Sequence, residues 1–296
     1  MNDRITRLNE EHNHWLAEID PMLGPVQVPS GERWVQVGDE LAATWLASRT
    51  DPAAPYALWA ADVVENLSFR AASAPTSRAF EQLLTAWLEA RQPIPARLTV
   101  TIPALATQLI PGLLAHGFRP GTSFAIRLVG DEPAPAPSAT TTVRPPVAAD
   151  RDALLELLFE LHLWELPYGA TLDRPHAKEL LAIYLDEALD RPEWTFVAEQ
   201  QDRPVGLLTL NPPEDSEWAA PLVSVHPVCY LGFAAVSSAS RTSGIGALLA
   251  RHAMHRAAAA HARAVLLDHA TLSPLSTPFW HRRGFRPLWT RWVREV

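Results

Sequence analysis

The chain has 296 residues, a formal net charge of −8, and is 48% hydrophobic and 20% charged. Its length exceeds the usual ~100–200 residues of one domain, which predicts two domains. The acidic balance excludes a broad nucleic-acid-binding surface, because such surfaces need clustered Lys and Arg. No segment is apolar for long enough to predict a membrane span. The opening residues lack the apolar core of a secretion signal, and the single cysteine cannot form an internal disulfide, so we expect a cytoplasmic protein.

The N-terminal half contains an apolar strand-like segment, an amphipathic helix and a second strand. These segments cover 56–72, 77–91 and 96–102. Residues 130–142 read GDEPAPAPSATTT, a composition typical of an extended linker. We therefore predict domains at 1–130 and 143–296, joined by a linker at 131–142.

The C-terminal half predicts a longer series of elements. Two helices are followed by a strand hairpin, and then strand, helix, strand, short helix and strand alternate. The predicted ranges are 152–164, 175–189, 194–200, 203–210, 228–236, 245–262, 264–270, 275–282 and 285–293.

The two halves share a repeated order of elements. The sequence HGFRP at 116–120 matches RGFRP at 283–287, and the helix and strand that precede each match also correspond. The halves are therefore predicted to be diverged copies of one fold. The first copy has AASAPT before its helix, where the second has a Gly-x-Gly, so we expect the first copy to have lost a ligand-binding loop.

The segment RTSGIG at 241–246 carries the strongest local signal, because it joins a buried strand to a helix. Glycines there let the backbone approach a ligand, and the free N–H groups of a helix N-terminus favour an anion such as a diphosphate. A glycine-rich turn without a ligand fits the same segment. A dinucleotide-binding fold is a further alternative, although it asks for a third glycine where this chain has Leu249. A Walker loop is excluded, since no Gly-Lys-Ser/Thr follows.

The C-terminal half resembles the GNAT superfamily of acyl-CoA N-acyltransferases. The family's loop, Arg/Gln-x-x-Gly-x-Gly/Ala, is matched by Arg241, Gly244 and Gly246, and a downstream family pattern is matched by residues 273–285. The resemblance implies an α/β fold with a mixed sheet, and two such domains in tandem with a degenerate N-terminal copy.

The resemblance also implies acetyl-CoA as co-substrate. In the family the fourth and fifth strands part, and the pantetheine arm fills the gap beside the loop that holds the pyrophosphate. An oxyanion-type contribution is expected from a backbone N–H near the end of the fourth strand. The residues implied in cofactor binding are Ala234, Ala235, Val236, Arg241, Thr242, Ser243, Gly244, Ile245, Gly246, Ala247, Ser273 and Trp280.

Two residues depart from the family pattern. Trp280 stands where many relatives have a Tyr that protonates the leaving thiolate, and indole is no acid at neutral pH. Ser273 stands in place of an Asn. Tyr230 and His269 are the candidate catalytic residues, and a purely structural role fits each of them as well. No metal is predicted.

The sequence therefore predicts an N-acetyltransferase in which an amine attacks the thioester directly in a ternary complex. A small-molecule or peptide amine is the expected acceptor, with no nucleic-acid or membrane partner. The acceptor's identity and the oligomeric state stay open. The competing hypothesis, favoured by the missing Tyr and Asn, is a non-catalytic protein that binds acyl-CoA as a sensor or scaffold.

Overall fold

The structure, a computed structural model, describes residues 2–31 and 33–296; Met1 and Glu32, within the predicted N-terminal domain, lie outside the described residues. The N-terminal half forms three helices and five strands among these residues. They are α1 (Asn2–Ile19), β1 (Trp34–Val37), β2 (Leu41–Arg49), β3 (Val63–Ala71), α2 (Ser77–Ala90), β4 (Arg97–Pro103), α3 (Ile110–Ala115) and β5 (Arg119–Leu128). The predicted strand at 56–72 is a strand only from Val63, because a 3₁₀ turn opened by a proline occupies Pro55–Leu58.

The C-terminal half follows the predicted order of elements. They are β6 (Thr142–Arg144), α4 (Arg151–Glu165), α5 (Ala177–Leu189), β7 (Thr195–Gln200), β8 (Arg203–Asn211), β9 (Val228–Val236), α6 (Ile245–Ala259), β10 (Ala264–Ala270), α7 (Ser276–His281) and β11 (Arg286–Glu295). Strands β9 and β10 have the predicted bounds. Helix α6 ends three residues early, and its chain reverses at His261, which adopts a left-handed conformation.

All the strands join in one mixed sheet, in the order β1-β2-β3-β4-β11-β5-β10-β9-β8-β7-β6. The last strands of the two halves are exchanged in this order. Strand β5, which ends the first half, lies between β10 and β11, whereas β11 pairs with β4 of the first half. The two domains are therefore tied by backbone pairing as well as by the linker.

The repeat has a counterpart in the backbone. Val64 pairs with Arg97 between β3 and β4, as Val228 pairs with Ala264 between β9 and β10, and both pairings are parallel. Gly117 and Gly284, at equivalent places in the repeated motif, have φ of +75° and +82°, a region that favours glycine. The mixed α/β fold with two copies in tandem is confirmed.

Helices cover both faces of the sheet in the second half. Helix α6 buries Leu249, Ala253 and Met254 against alternate residues of β8, β9 and β10. Helices α4 and α5 pack on the other face, against Val197 of β7 and Leu207 of β8. In the described part of the chain, no helix combines the length and apolar character needed to cross a membrane.

Candidate functional site

Strands β9 and β10 part beside the N-terminus of α6. Their parallel pairing covers only Val228–Leu231 against Ala264–Leu267, although β9 continues to Val236 and β10 to Ala270. Each strand keeps its outer neighbour along this stretch, since β9 stays paired with β8 and β10 with β5. The two strands therefore form a rigid fork whose inner edges are not paired with each other.

A bulge in β8 supports the fork. The register between β8 and β9 shifts between Leu208 and Leu210, and the hydroxyl of Thr209 accepts a hydrogen bond from the backbone N–H of Phe233 at 2.8 Å. Gly232 is exposed where the strands diverge, and a Cβ there would lie 2.8 Å from that hydroxyl. A larger residue at the base of the fork would therefore displace the Thr209 hydroxyl from this contact.

Helix α6 begins beyond the tip of β9 with its first N–H groups uncapped by any side chain. Gly244 precedes the helix with φ of +85°, and a Cβ built on it would meet no atom within 4 Å. Gly246 differs, because its Cβ would approach the ring of Phe279 to 2.9 Å. The first glycine therefore keeps the loop open, and the second permits close packing of α6 against α7.

An ion pair from α4 holds this loop. Oε1 of Glu160 accepts hydrogen bonds from the backbone N–H of Ser238 at 2.9 Å and from the Arg241 guanidinium at 3.1 Å. The same guanidinium lies 5.0 Å from the ring centroid of Trp164. A carboxylate thus contacts the arginine that the sequence predicts for a pyrophosphate.

A cavity of about 660 Å³ lies on the face of the sheet that α4 and α5 cover. Its far wall comes from the N-terminal half, where Tyr56 lies in the 3₁₀ turn and Trp59 directly follows it. Trp59 contacts Tyr184 of α5 edge-on at 5.0 Å between centroids, and Phe233 of β9 lies 6.1 Å from it. Arg174 fixes this wall by donating to the carbonyls of residues 57 and 60. Both halves therefore build the cavity.

The floor of the cavity carries charge. The hydroxyl of Tyr230 on β9 donates a hydrogen bond to Asp268 on β10. Burial, with the nearby Asp268 charge, raises the pKa of Tyr230 well above its usual value. Arg291 on β11 lines the same floor, 5.1 Å from the ring centroid of Phe124 on β5. Strand β11 thus contributes a guanidinium to the cavity floor, with β5 between it and β10.

Two further ionisable groups line the cavity. Nδ1 of His269 lies 3.0 Å from the carbonyl of Ala270; since a carbonyl only accepts, Nδ1 carries the proton and Nε2 the lone pair. That Nε2 is buried without a partner among the described residues. Burial lowers the pKa of His269, and burial also raises the pKa of Glu165 at the end of α4. The imidazole is therefore neutral at pH 7.

The two residues that depart from the family pattern lie close together on α7 and just before it. Ser273 is buried, and its hydroxyl lies within hydrogen-bonding distance of Glu165 and Ser276. Trp280 is buried between the rings of Phe279 and Phe285, and it lines the cavity. Ser273 therefore connects α7 to α4, whereas Trp280 closes one side of the cavity.

The sequence analysis missed Asp268 and Arg291 as site residues, and it missed Tyr56 and Trp59 as cavity walls. Asp268 had a signal, because it is the one acid in the apolar strand AVLLDHA. The others had none, since long-range strand pairing and the contact between the two halves bring them to the cavity.

Comparisons with known proteins agree with this architecture. Residues 155–285 match the model of the acetyltransferase (GNAT) family. The chain is similar to a GCN5-related N-acetyltransferase from Sphaerobacter thermophilus, with a TM-score of 0.55 and 17% identity over 86% of this chain and 76% of that one. A tandem GNAT protein from the clavulanic acid biosynthesis pathway aligns with a TM-score of 0.49 and 14% identity over 99% and 95% of the two chains. No curated protein matches the sequence.

Proposed function

We propose that this chain, whose residues 155–285 match the acetyltransferase (GNAT) family model, transfers an acetyl group from acetyl-CoA to an amine. One observation carries the proposal. The fork between β9 and β10 opens between an uncapped helix N-terminus and the cavity that both halves build. Acetyl-CoA needs these features together, because its diphosphate requires N–H donors while its acyl end must meet a second substrate.

The pantetheine arm would lie along the unpaired inner edge of β9. Ala234, Ala235 and Val236 offer backbone groups there, and their small side chains permit close approach. The pyrophosphate would accept hydrogen bonds from the loop at 241–247. Arg241 would then exchange Glu160 for a phosphate. A backbone N–H near Val236 would polarise the acyl carbonyl as negative charge develops on its oxygen.

The chemical step is a direct transfer. The amine nitrogen attacks the carbonyl carbon, the C–S bond breaks, and the sulfur leaves with the electron pair as a thiolate. We propose that the amine's proton passes to Nε2 of His269, which is neutral and carries a lone pair; because this nitrogen is buried, the step requires it to become accessible to the bound acceptor. Tyr230 is a poor base, because its raised pKa keeps the phenol protonated. The CoA thiolate takes its proton from water, since the indole N–H of Trp280 is not acidic at neutral pH, and the hydroxide formed is neutralised by the proton that His269 accepted.

Two measurements test this function. Calorimetric titration with acetyl-CoA should give saturable binding at one site per chain, and a thiol assay should detect free CoA with at least one amine of a panel. His269→Gln should lower kcat and remove the acid limb of the pH profile, an inflection expected below pH 6.5 because burial depresses this pKa. His14→Gln, at an exposed position of α1, is the matched control.

The alternative function is a non-catalytic sensor of acyl-CoA. Trp280 favours it, because no group at that position can protonate a thiolate. Saturable acetyl-CoA binding without CoA release on any amine would support the sensor. The absence of binding would exclude both functions.

A further inference from the structure

We infer that the acceptor is an amine that also carries a carboxylate, and that Arg291 binds the carboxylate. The inference rests on the proposed function and names the substrate class of the same cavity.

Arg291 differs from the other deep arginines of the chain. Arg91 forms an ion pair with Glu65 at 3.0 Å, and Arg70 donates to Asn9 and to two backbone carbonyls. Arg291 has no carboxylate within ion-pair distance among the described residues, and only the ring of Phe124 lies against it. An arginine that served the fold alone would be expected to have a carboxylate, amide or carbonyl acceptor, as Arg91 and Arg70 have, whereas Arg291 has no hydrogen bond or ion pair among the described residues.

The guanidinium of Arg291 is nevertheless accessible from the cavity. The residue is exposed and lines the cavity, and partial desolvation still lowers the pKa of its guanidinium. A planar guanidinium binds a carboxylate through two parallel hydrogen bonds. An anion bound here would therefore regain the interactions that burial removes.

The opposite charge lies close by on the same floor. Asp268 is exposed to the cavity and accepts only the Tyr230 hydroxyl among its described neighbours. The Asp268 charge acts on Arg291, yet the two side chains form no ion pair. A floor with one accessible cation and one accessible anion complements a ligand with both charges. A simple cationic amine would leave Arg291 unpaired and would be repelled by it.

The aromatic wall of the cavity guides the choice of test amines. Trp59, Tyr184 and Phe233 line the end of the cavity away from Arg291's strand, and they suit an apolar body. L-phenylalanine, L-phenylalaninamide and phenethylamine share a phenyl ring and a primary amine. Only phenylalanine carries a carboxylate, and the amide keeps its size without its charge.

The experiment compares kcat/KM for the three amines with acetyl-CoA at a fixed concentration above its KM. A charge-assisted pair with Arg291 predicts that kcat/KM for phenylalanine is about 10- to 100-fold higher than for either of the other two amines. Arg291→Gln should remove that advantage and leave acetyl-CoA affinity unchanged, while Arg291→Lys should retain part of it. Arg203→Gln, at the exposed first residue of β8, should behave as wild type. Thermal unfolding of each variant checks that it folds.

The outcomes separate the two proposals. Failure to bind acetyl-CoA would contradict the proposed function. Acetylation of phenethylamine as fast as phenylalanine, or a preference that survives in Arg291→Gln, would overturn the inference and leave the function intact. If no amine reacts, the affinities of the amines for acetyl-CoA-loaded protein are compared by calorimetry. The inference is overturned if phenylalanine does not bind, or binds no more tightly than phenethylamine.

Discussion

Substitution of Gly244 by alanine separates the cost of backbone strain from the loss of ligand binding. Gly244 has φ of +85°, and a residue with a Cβ pays about 1–2 kcal/mol in that region. The new methyl would meet no protein atom within 4 Å, so no further cost in stability is expected. It would project from the loop where a diphosphate approaches the N–H groups of α6. We predict at least a tenfold loss of acetyl-CoA affinity, or about 1.4 kcal/mol.

Gly38 supplies the matched control. It has φ of +60° in the turn between β1 and β2, and its Cβ would also meet nothing within 4 Å. Gly38→Ala and Gly244→Ala should lose similar free energies of unfolding in urea, and only Gly244→Ala should bind acetyl-CoA more weakly in calorimetry. Gly246→Ala is a poorer probe, because its Cβ would strike Phe279. If Gly244→Ala bound acetyl-CoA within twofold of wild type, the loop would not hold the diphosphate.

Three further predictions concern the Glu160–Arg241 ion pair, the pH dependence of stability and the exchange of strands. Glu160→Gln should raise acetyl-CoA affinity several-fold in calorimetry, because it frees Arg241 from a competing carboxylate; weaker binding would contradict this. Burial lowers the pKa of His12 to about 3 while its Nδ1 accepts the Ala71 N–H, so the unfolded chain binds the extra proton below pH 6.5. In urea, the contribution of His12 to the free energy of unfolding should be fully present above pH 6.5 and should be lost as pH falls towards 3, by up to about 4 kcal/mol. A His12→Gln variant whose free energy of unfolding depended on pH as in wild type would refute the assignment. Cutting the chain within residues 130–142 should give two fragments that fold and co-purify only when expressed together, since β5 and β11 are exchanged; two fragments folding as separate monomers would disprove the exchange.

The sequence predicts the second half well, because its signals are local. Alternating and continuous apolar runs mark β9 and β10, and the glycines mark the start of α6, so their bounds agree to the residue. Helix α1 and strands β1 and β2 were not predicted. Helix α1 packs on β3 and the two strands extend the sheet, and these are tertiary contacts.

The exchange of strands was beyond the reach of the sequence for a specific reason. Strands β5 and β11 begin within almost identical motifs, HGFRP and RGFRP. The sequence pattern therefore does not indicate which half each strand pairs with. The same limit applies to the site. The loop and its glycines were predicted, whereas the place of Arg291 at the cavity depends on how β11 pairs with β4 and β5, which no local pattern indicates.

Amide hydrogen exchange with and without acetyl-CoA tests the central claim most directly. If acetyl-CoA binds in the fork, amide exchange should slow at the free edge of β9 (232–236) and in the loop and first turn of α6 (238–247). Exchange in the equivalent strand β3 of the first half should be the same with and without acetyl-CoA. Unchanged exchange at both segments in saturating acetyl-CoA, or protection that appears elsewhere, would contradict the account.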